Sequence, residues 1–150
     1  MKLSDIDIID RYCEELWNDH DISAIRRWSH PDGVYHDYPG KAELLQADEL
    51  ERRLKRVFTL LPDHRLTIHK MWSDSHGEVA WRWTVQGTWH GPWSTGAKVD
   101  FNGLTWYQIE NGRICRRYGV SDAYRFDYQI GKRDHLVNLY LPCLLYTSPS

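Results

Sequence analysis

The sequence predicts an α+β fold with helices first and an antiparallel meander after them. Three observations carry that expectation. Apolar residues recur at helical spacing as far as Leu61, and from His64 onward they alternate with polar ones instead. Asn111-Gly112 then supplies a strong type I′ hairpin signal between two alternating runs. The alternation is strictest in Glu78–His90 (EVAWRWTVQGTWH). Val79, Trp81, Trp83, Val85 and Trp89 share one face with Gly87, while Ala80, Arg82, Thr84, Gln86, Thr88 and His90 share the other. A strand of that length with two such different faces separates two environments. Several Trp on one face bring large apolar area and N–H groups that need partners, which suits a core or a pocket wall. The alternative is a half-buried sheet with a solvated back, but the later strands repeat the mixture, so a pocket is expected.

The first helix is expected over Ser4–Asn18. Ser4 is placed to cap it, with Asp7 three residues on, and Ile8, Ile9, Tyr12, Leu16 and Trp17 form the apolar stripe. Asn18–His20 closes it, and Asp21 is placed to cap a short second helix running through Trp28. The turn His30–Gly33 leads to an extended piece, Val34–Pro39 (VYHDYP), that carries His36 and Asp37. A third helix is expected over about Ala47–Leu61, with Leu50, Leu54, Val57, Phe58 and Leu61 buried and Pro62 as its stop. Leu66, Ile68 and Trp72 mark a strand that ends at the turn Ser73–Gly77. After the central strand, His90–Gly96 (HGPWSTG) reads as a loop. Val99, Phe101, Thr105, Tyr107 and Ile109 share one face of the next strand, and Arg113–Ser121 returns beside it.

A chain of 150 residues is long enough for one domain with a sizeable core, and no internal linker interrupts it. The net charge of −2 implies no general affinity for nucleic acid or for an anionic membrane. The basic run Glu51–Arg56 (ERRLKR) falls at helical spacing and reads as a solvated helix face. Eight Trp and nine Tyr against three Phe is an unusual balance. Aromatics with polar handles suit a site for a flat or ring-shaped organic ligand, and they suit interfaces as well. Cys13, Cys115 and Cys143 have no metal-like spacing, and no HxH, HExxH or Cys/His set occurs, so no metal is expected. Without a Gly-rich phosphate loop or dinucleotide fingerprint, no nucleotide cofactor is expected either. No signal peptide or transmembrane run is seen, so the expected location is the cytoplasm, with free thiols.

Trp17–Ile25 (WNDHDISAI), Val34–Pro39, Leu61–Arg65 (LPDHR), Val79–His90 with Gly91-Pro92, and Gly112–Asp122 (GRICRRYGVSD) occur in a telling order and spacing. Together they resemble the nuclear transport factor 2-like superfamily, and most nearly its SnoaL-like polyketide cyclase branch. The resemblance runs from about Asp5 to Phe126. It implies a cone-shaped α+β barrel, in which a curved, mainly antiparallel sheet wraps N-terminal helices around a pocket open at one end. It also implies homodimers packed through the outer face of the sheet. The domain is accordingly expected over 1–126, with a C-terminal extension at 127–142. Cys143–Ser150 (CLLYTSPS) matches the in-frame translation of a common sequencing-library adapter and is expected to be no part of the natural protein.

Fold does not decide function, because the superfamily hosts isomerases, cyclases, hydrolases, dehydratases and non-catalytic binders. By resemblance, Asp37 matches the general-base aspartate of the ketosteroid isomerase branch. There it could abstract a proton α to a carbonyl, unless it only caps the turn into Tyr38-Pro39-Gly40. The oxyanion donors of that branch match poorly. Thr105 stands where a protonated Asp is required, and Tyr12 aligns with the helix tyrosine only across a one-residue gap. A steroid isomerase is therefore not expected. The limonene epoxide hydrolase branch needs an Asp-Arg-Asp set, for which Arg82 and Asp100 remain but Gly119 replaces one Asp, so an epoxide hydrolase is a minor alternative. In the cyclase branch a late Asp acts as acid and base, and Asp122 in GVSDA is its match here. The alternative for Asp122 is a structural one, fixing the end of the last strand by accepting backbone N–H bonds.

Strand parity groups Asp122 with Tyr118 and Val120, and Gly119 with Ser121, so only one set can enter the cone. His36 and His90 are candidate assistants in proton transfer. His36 and Asp37 are neighbours on a strand, however, and cannot both face the pocket. His64, His69 and His76 are expected to be exposed. The expected function is cofactor-independent acid–base chemistry, of cyclase, isomerase or dehydratase type, on an apolar cyclic or carbonyl-bearing substrate. Asp37 or Asp122 would move the proton, His36 or His90 would assist, and Tyr12, Trp83, Trp89, Thr105 and Trp106 would line the site. The alternative is a non-catalytic small-ligand-binding or dimerisation module with the same cone. An Asp buried in the cavity would favour chemistry.

Overall fold

The computed structural model describes residues 2–36 and 44–132, with Leu44 described by its backbone alone. A reciprocal cap starts α1 (Asp5–Cys13): Ser4 Oγ accepts from the Asp7 N–H at 3.1 Å, and the Asp7 carboxylate accepts from the Ser4 N–H. The helix widens into a π-turn over Glu14–Asn18. Asn18 ends it by pairing with the backbone of Leu66, accepting from its N–H at 2.7 Å and donating to its carbonyl at 3.1 Å. That side chain docks the helix on the sheet. Asp21 accepts from the N–H and hydroxyl of Ser23, so it shapes the turn ahead of α2 (Ala24–Trp28).

The strands are β1 (Ser29–His36), β2 (Leu44–Leu45), β3 (Arg65–Ser73), β4 (Glu78–Thr88), β5 (Lys98–Glu110) and β6 (Arg113–Ser121). The third helix, α3 (Ala47–Leu60), lies between β2 and β3. One sheet runs in the order β2-β1-β6-β5-β4-β3, with β1 parallel to β6 and every other pair antiparallel. The turn expected at His30–Gly33 is instead inside β1. It occupies the irregular stretch between two paired segments, Ser29 with Ile114 and Val34–His36 with Arg116–Tyr118. Asn111 and Gly112 take φ of 52° and 75°, the left-handed pair a type I′ hairpin requires.

Alternation along β4 buries Val79, Trp81, Trp83 and Val85 in the main core, which also takes Ile8, Ile9 and Tyr12 from α1, Leu16 from the π-turn, and Leu50 and Leu54 from α3. A second cluster, Leu61, Trp89, Val99 and Ile130, closes the end of α3. One further helix, α4 (Ala123–Gln129), crosses the boundary expected after Phe126, and it buries Asp127. Asp37, the turn Tyr38-Pro39-Gly40 and the stretch 133–150, adapter-like residues included, lie outside the described residues. No helix among the described residues is long and apolar enough to cross a membrane.

Candidate functional site

The concave face of the sheet, α3 and α4 enclose a cavity of about 640 Å³. Its walls are apolar: Leu54, Val57 and Leu60 from α3, Leu66 from β3, Trp83 and Val85 from β4, Phe101 from β5 and Phe126 from α4. Two glycines open it. Gly103 pairs with Trp83 across β4 and β5, and a Cβ on Gly103 would lie inside the Trp83 ring. The indole therefore lies flat along the sheet, and its Nε1–H donates to Thr105 Oγ1 at 2.9 Å, with both groups buried. Gly119 pairs with Thr105 across β5 and β6, and a Cβ there would stand 2.6 Å from a terminal nitrogen of Arg117. The guanidinium thus folds over Gly119 at the cavity floor.

Arg117 occupies the inward row of the sheet between Tyr35 and Tyr107. Burial pushes the hydroxyl pKa of Tyr12, Tyr35 and Tyr107 up, and the positive charge of Arg117 opposes that shift. His64 forms another part of the wall. Its Nδ1 lies 3.2 Å from the Trp17 carbonyl and must be the protonated nitrogen to donate there, which leaves Nε2 as an acceptor. Burial lowers its pKa to about 4, so the ring is neutral near pH 7. Asp127, on α4, is the acidic side chain of the lining among the described residues, while Arg53, Arg56 and Lys132 supply further cations. No group of three or more His, Cys, Asp or Glu side chains that could hold a metal occurs among the described residues.

Of the expected site residues, Trp83, Trp89 and Thr105 line the cavity. Tyr12 does not. It is sealed in the core, edge-on to Tyr107 at 5.9 Å. Trp106 is on the outer face, because Thr105 points inward and neighbours on a strand alternate; it stacks on Tyr118 at 4.7 Å. His36 is turned outward by the same rule, since Tyr35 is buried, and it stacks on the same Tyr118 at 4.1 Å. Burial and then the charge of Arg116 lower the His36 pKa. His90 is exposed beyond the end of β4, with its backbone N–H donating to the Leu60 carbonyl. Asp122 is exposed as well and caps α4, its Oδ1 accepting from the Arg125 N–H at 3.0 Å. Arg82, the arginine left for an epoxide hydrolase, is exposed on the outer face.

Three cavity groups were not anticipated. His64 is 5 % exposed rather than solvated, because Trp17 stacks on its ring and Phe58 packs against it edge-on. Arg117 shares strand parity with Gly119 and Ser121, so its inward direction was readable once that set was chosen. Asp127 had no signal, since it depends on a helix the alternation pattern does not contain.

A curved sheet that wraps helices and keeps an apolar hollow with a few inner polar groups defines a small-molecule-binding cone. Residues 7–130 match the family model for SnoaL-like polyketide cyclase, and the chain belongs to that family. Solved structures share the fold. A candidate polyketide cyclase of Acidithiobacillus ferrooxidans is 20% identical, with a TM-score of 0.72 over 88% of this chain and 99% of that one. IdmH of Streptomyces antibioticus, a candidate polyketide cyclase, is 21% identical, with a TM-score of 0.73 over 85% and 98%. AclR of Streptomyces galilaeus, a candidate hydroxylase, is 21% identical, with a TM-score of 0.70 over 82% and 95%. No curated protein matches the sequence.

Proposed function

We propose that the protein is a cofactor-independent acid–base enzyme acting on an apolar, ring-bearing carbonyl compound held in the cone. The supporting observation is an apolar cavity whose inner polar groups are few and chemically distinct: Arg117, Thr105, neutral His64 and Asp127. A ketone bound against the Trp83 and Phe101 walls would lose a proton α to its carbonyl to a carboxylate. The Arg117 cation would stabilise the oxygen on which negative charge develops. Asp127, in the cavity lining, would take that proton, and Asp37 is the second candidate. His64 Nε2, an acceptor, would orient a substrate hydroxyl. Asp122, as an exposed helix cap, has no part in this reading.

The outer face we assign to a second copy of the chain. Trp72, Ala80, Trp106, Tyr118 and His36 run in one row across it, and Leu104 and Val120 beside them are 54% and 56% exposed.

The chemistry is tested by following deuterium uptake α to the carbonyl of ring ketones such as 2-tetralone by NMR. Asp127→Asn or Asp37→Asn should slow enzyme-dependent exchange by ~10²–10⁴-fold, the usual loss for a positioned base. If both variants bind the probe and neither slows exchange, the cone is a binding module and the catalytic reading is wrong.

A further inference from the structure

We infer that the ligand of this cavity is an organic anion, an apolar ring system whose carboxylate rests at the rim formed by α3 and the segment after α4. The inference builds on the reading of the cone as a site for a ring-bearing molecule, and it concerns the charge of that molecule. The chain as a whole carries −2, with 19 basic and 21 acidic residues. The cavity reverses that balance. Arg53, Arg56, Arg117 and Lys132 line it, against Asp127 alone on the acidic side among the described residues.

The run ERRLKR accounts for part of the reversal. Arg53 and Arg56 are three apart on α3 and share their face with Val57 and Leu60, which line the cavity too. Arg52 lies on the exposed side of the helix, where it pairs with Glu49. The other side of the rim is brought close by packing. Leu61, just past α3, and Ile130, just past α4, share the second core cluster, so Lys132 stands two residues after one packed at the end of α3. Lys132 lines the cavity, and its Nζ lies 5.5 Å from the centre of the exposed Trp93 ring. Glu49 approaches Arg53 at 3.9 Å, so the positive field offered to a ligand comes first from Arg56 and Lys132.

The interior sets the orientation. A carboxylate pushed among Trp83, Val85 and Phe101 would lose its hydration without gaining partners there, whereas a ring system gains from the same walls. The charged end therefore stays at the rim while the ring and its carbonyl enter toward Thr105 and Arg117. Neutral His64 adds no charge to the wall.

The test uses anthraquinone-2-carboxylate and its methyl ester, with binding read from quenching of the cavity tryptophans. The acid should bind at least ~10-fold more tightly than the ester, and only its affinity should fall when NaCl is raised from about 50 to about 500 mM. The double variant Arg56→Glu, Lys132→Glu should weaken the acid by ~10–100-fold and leave the ester within about twofold, with an unchanged circular dichroism spectrum. Equal affinities for acid and ester, or equal losses for both in the variant, would overturn the anion inference while leaving a ring-binding cone. Quenching by neither compound would overturn the ring-binding reading and this inference with it.

Discussion

Acidification from about pH 7.5 to about pH 5 should destabilise the protein through His64, and His64→Asn should remove that part of the loss. The folded chain holds this imidazole neutral, with its pKa lowered to about 4 chiefly by burial, while the unfolded chain titrates near the ordinary 6.5. Protons below pH 6.5 therefore favour the unfolded state, and the penalty grows until pH falls through about 4. Linkage between those two pKa values puts the loss at about 2 kcal/mol by pH 5 and about 3 kcal/mol at its limit. Neighbouring groups do not mimic it. His20, 6.1 Å away, adds repulsion only when both rings are charged. Asp7, Asp21, Asp63 and Asp74 have pKa values lowered from 3.8, so their contributions disappear at lower pH than this window. His36 titrates with the same sign as His64 but is present in both proteins. Asn keeps an N–H in reach of the Trp17 carbonyl and carries no titrating group. Urea unfolding of both proteins at pH values across the window measures the difference. Parallel losses in wild type and His64→Asn would refute the assignment of a buried neutral His64.

Gly103→Ala should destabilise the fold by ~1–3 kcal/mol and shift the near-ultraviolet circular dichroism, because the new methyl displaces the Trp83 ring from Thr105; an unchanged spectrum and melting temperature would count against that packing. Asp122→Ala should cost about 1 kcal/mol in chemical denaturation through loss of the α4 cap, while Asp122→Asn should be nearly neutral and leave any turnover intact. Leu104→Glu with Val120→Glu should convert a dimer into a monomer by light scattering, since both residues are more than half exposed on the outer face. A wild-type monomer at micromolar concentration would contradict that assignment.

Strand identity and direction were legible wherever one residue in two is buried. The alternation of Val79, Trp81, Trp83 and Val85 in the sequence is the burial pattern of β4, and the same holds for Val99, Thr105, Tyr107 and Ile109 in β5. Ser4 with Asp7, and Asn111 with Gly112, encode their local geometry within a few residues and needed no tertiary context. The candidate site was less legible because its lining depends on contacts between distant segments. His64 is buried by Trp17 and Phe58, and nothing beside it in the chain announces that burial. Trp106 and His36 carry the right functional groups, but each follows a residue whose side chain points inward, and parity sends them out. Asp122 and Asp127 show the same limit. The first is prominent in a motif yet is spent on a cap, and the second gains its position from a short helix with little periodicity to reveal it.

The cavity exists because two long side chains lie along the sheet rather than across the hollow. Trp83 and Arg117 project from inward positions of β4 and β6, where extended rotamers would point them at α3. Each is instead accepted by a glycine: Gly103 on the neighbouring strand for the indole, and Gly119 two residues along the same strand for the guanidinium. Gly119 pairs with Thr105, and Thr105 takes the Trp83 N–H, so both folded-over side chains flank one threonine. A Cβ at either glycine would force its partner inward, reducing the hollow and withdrawing a polar group from the floor. The glycine that breaks the epoxide hydrolase pattern is thus the residue that makes room for the Arg117 guanidinium at the cavity wall.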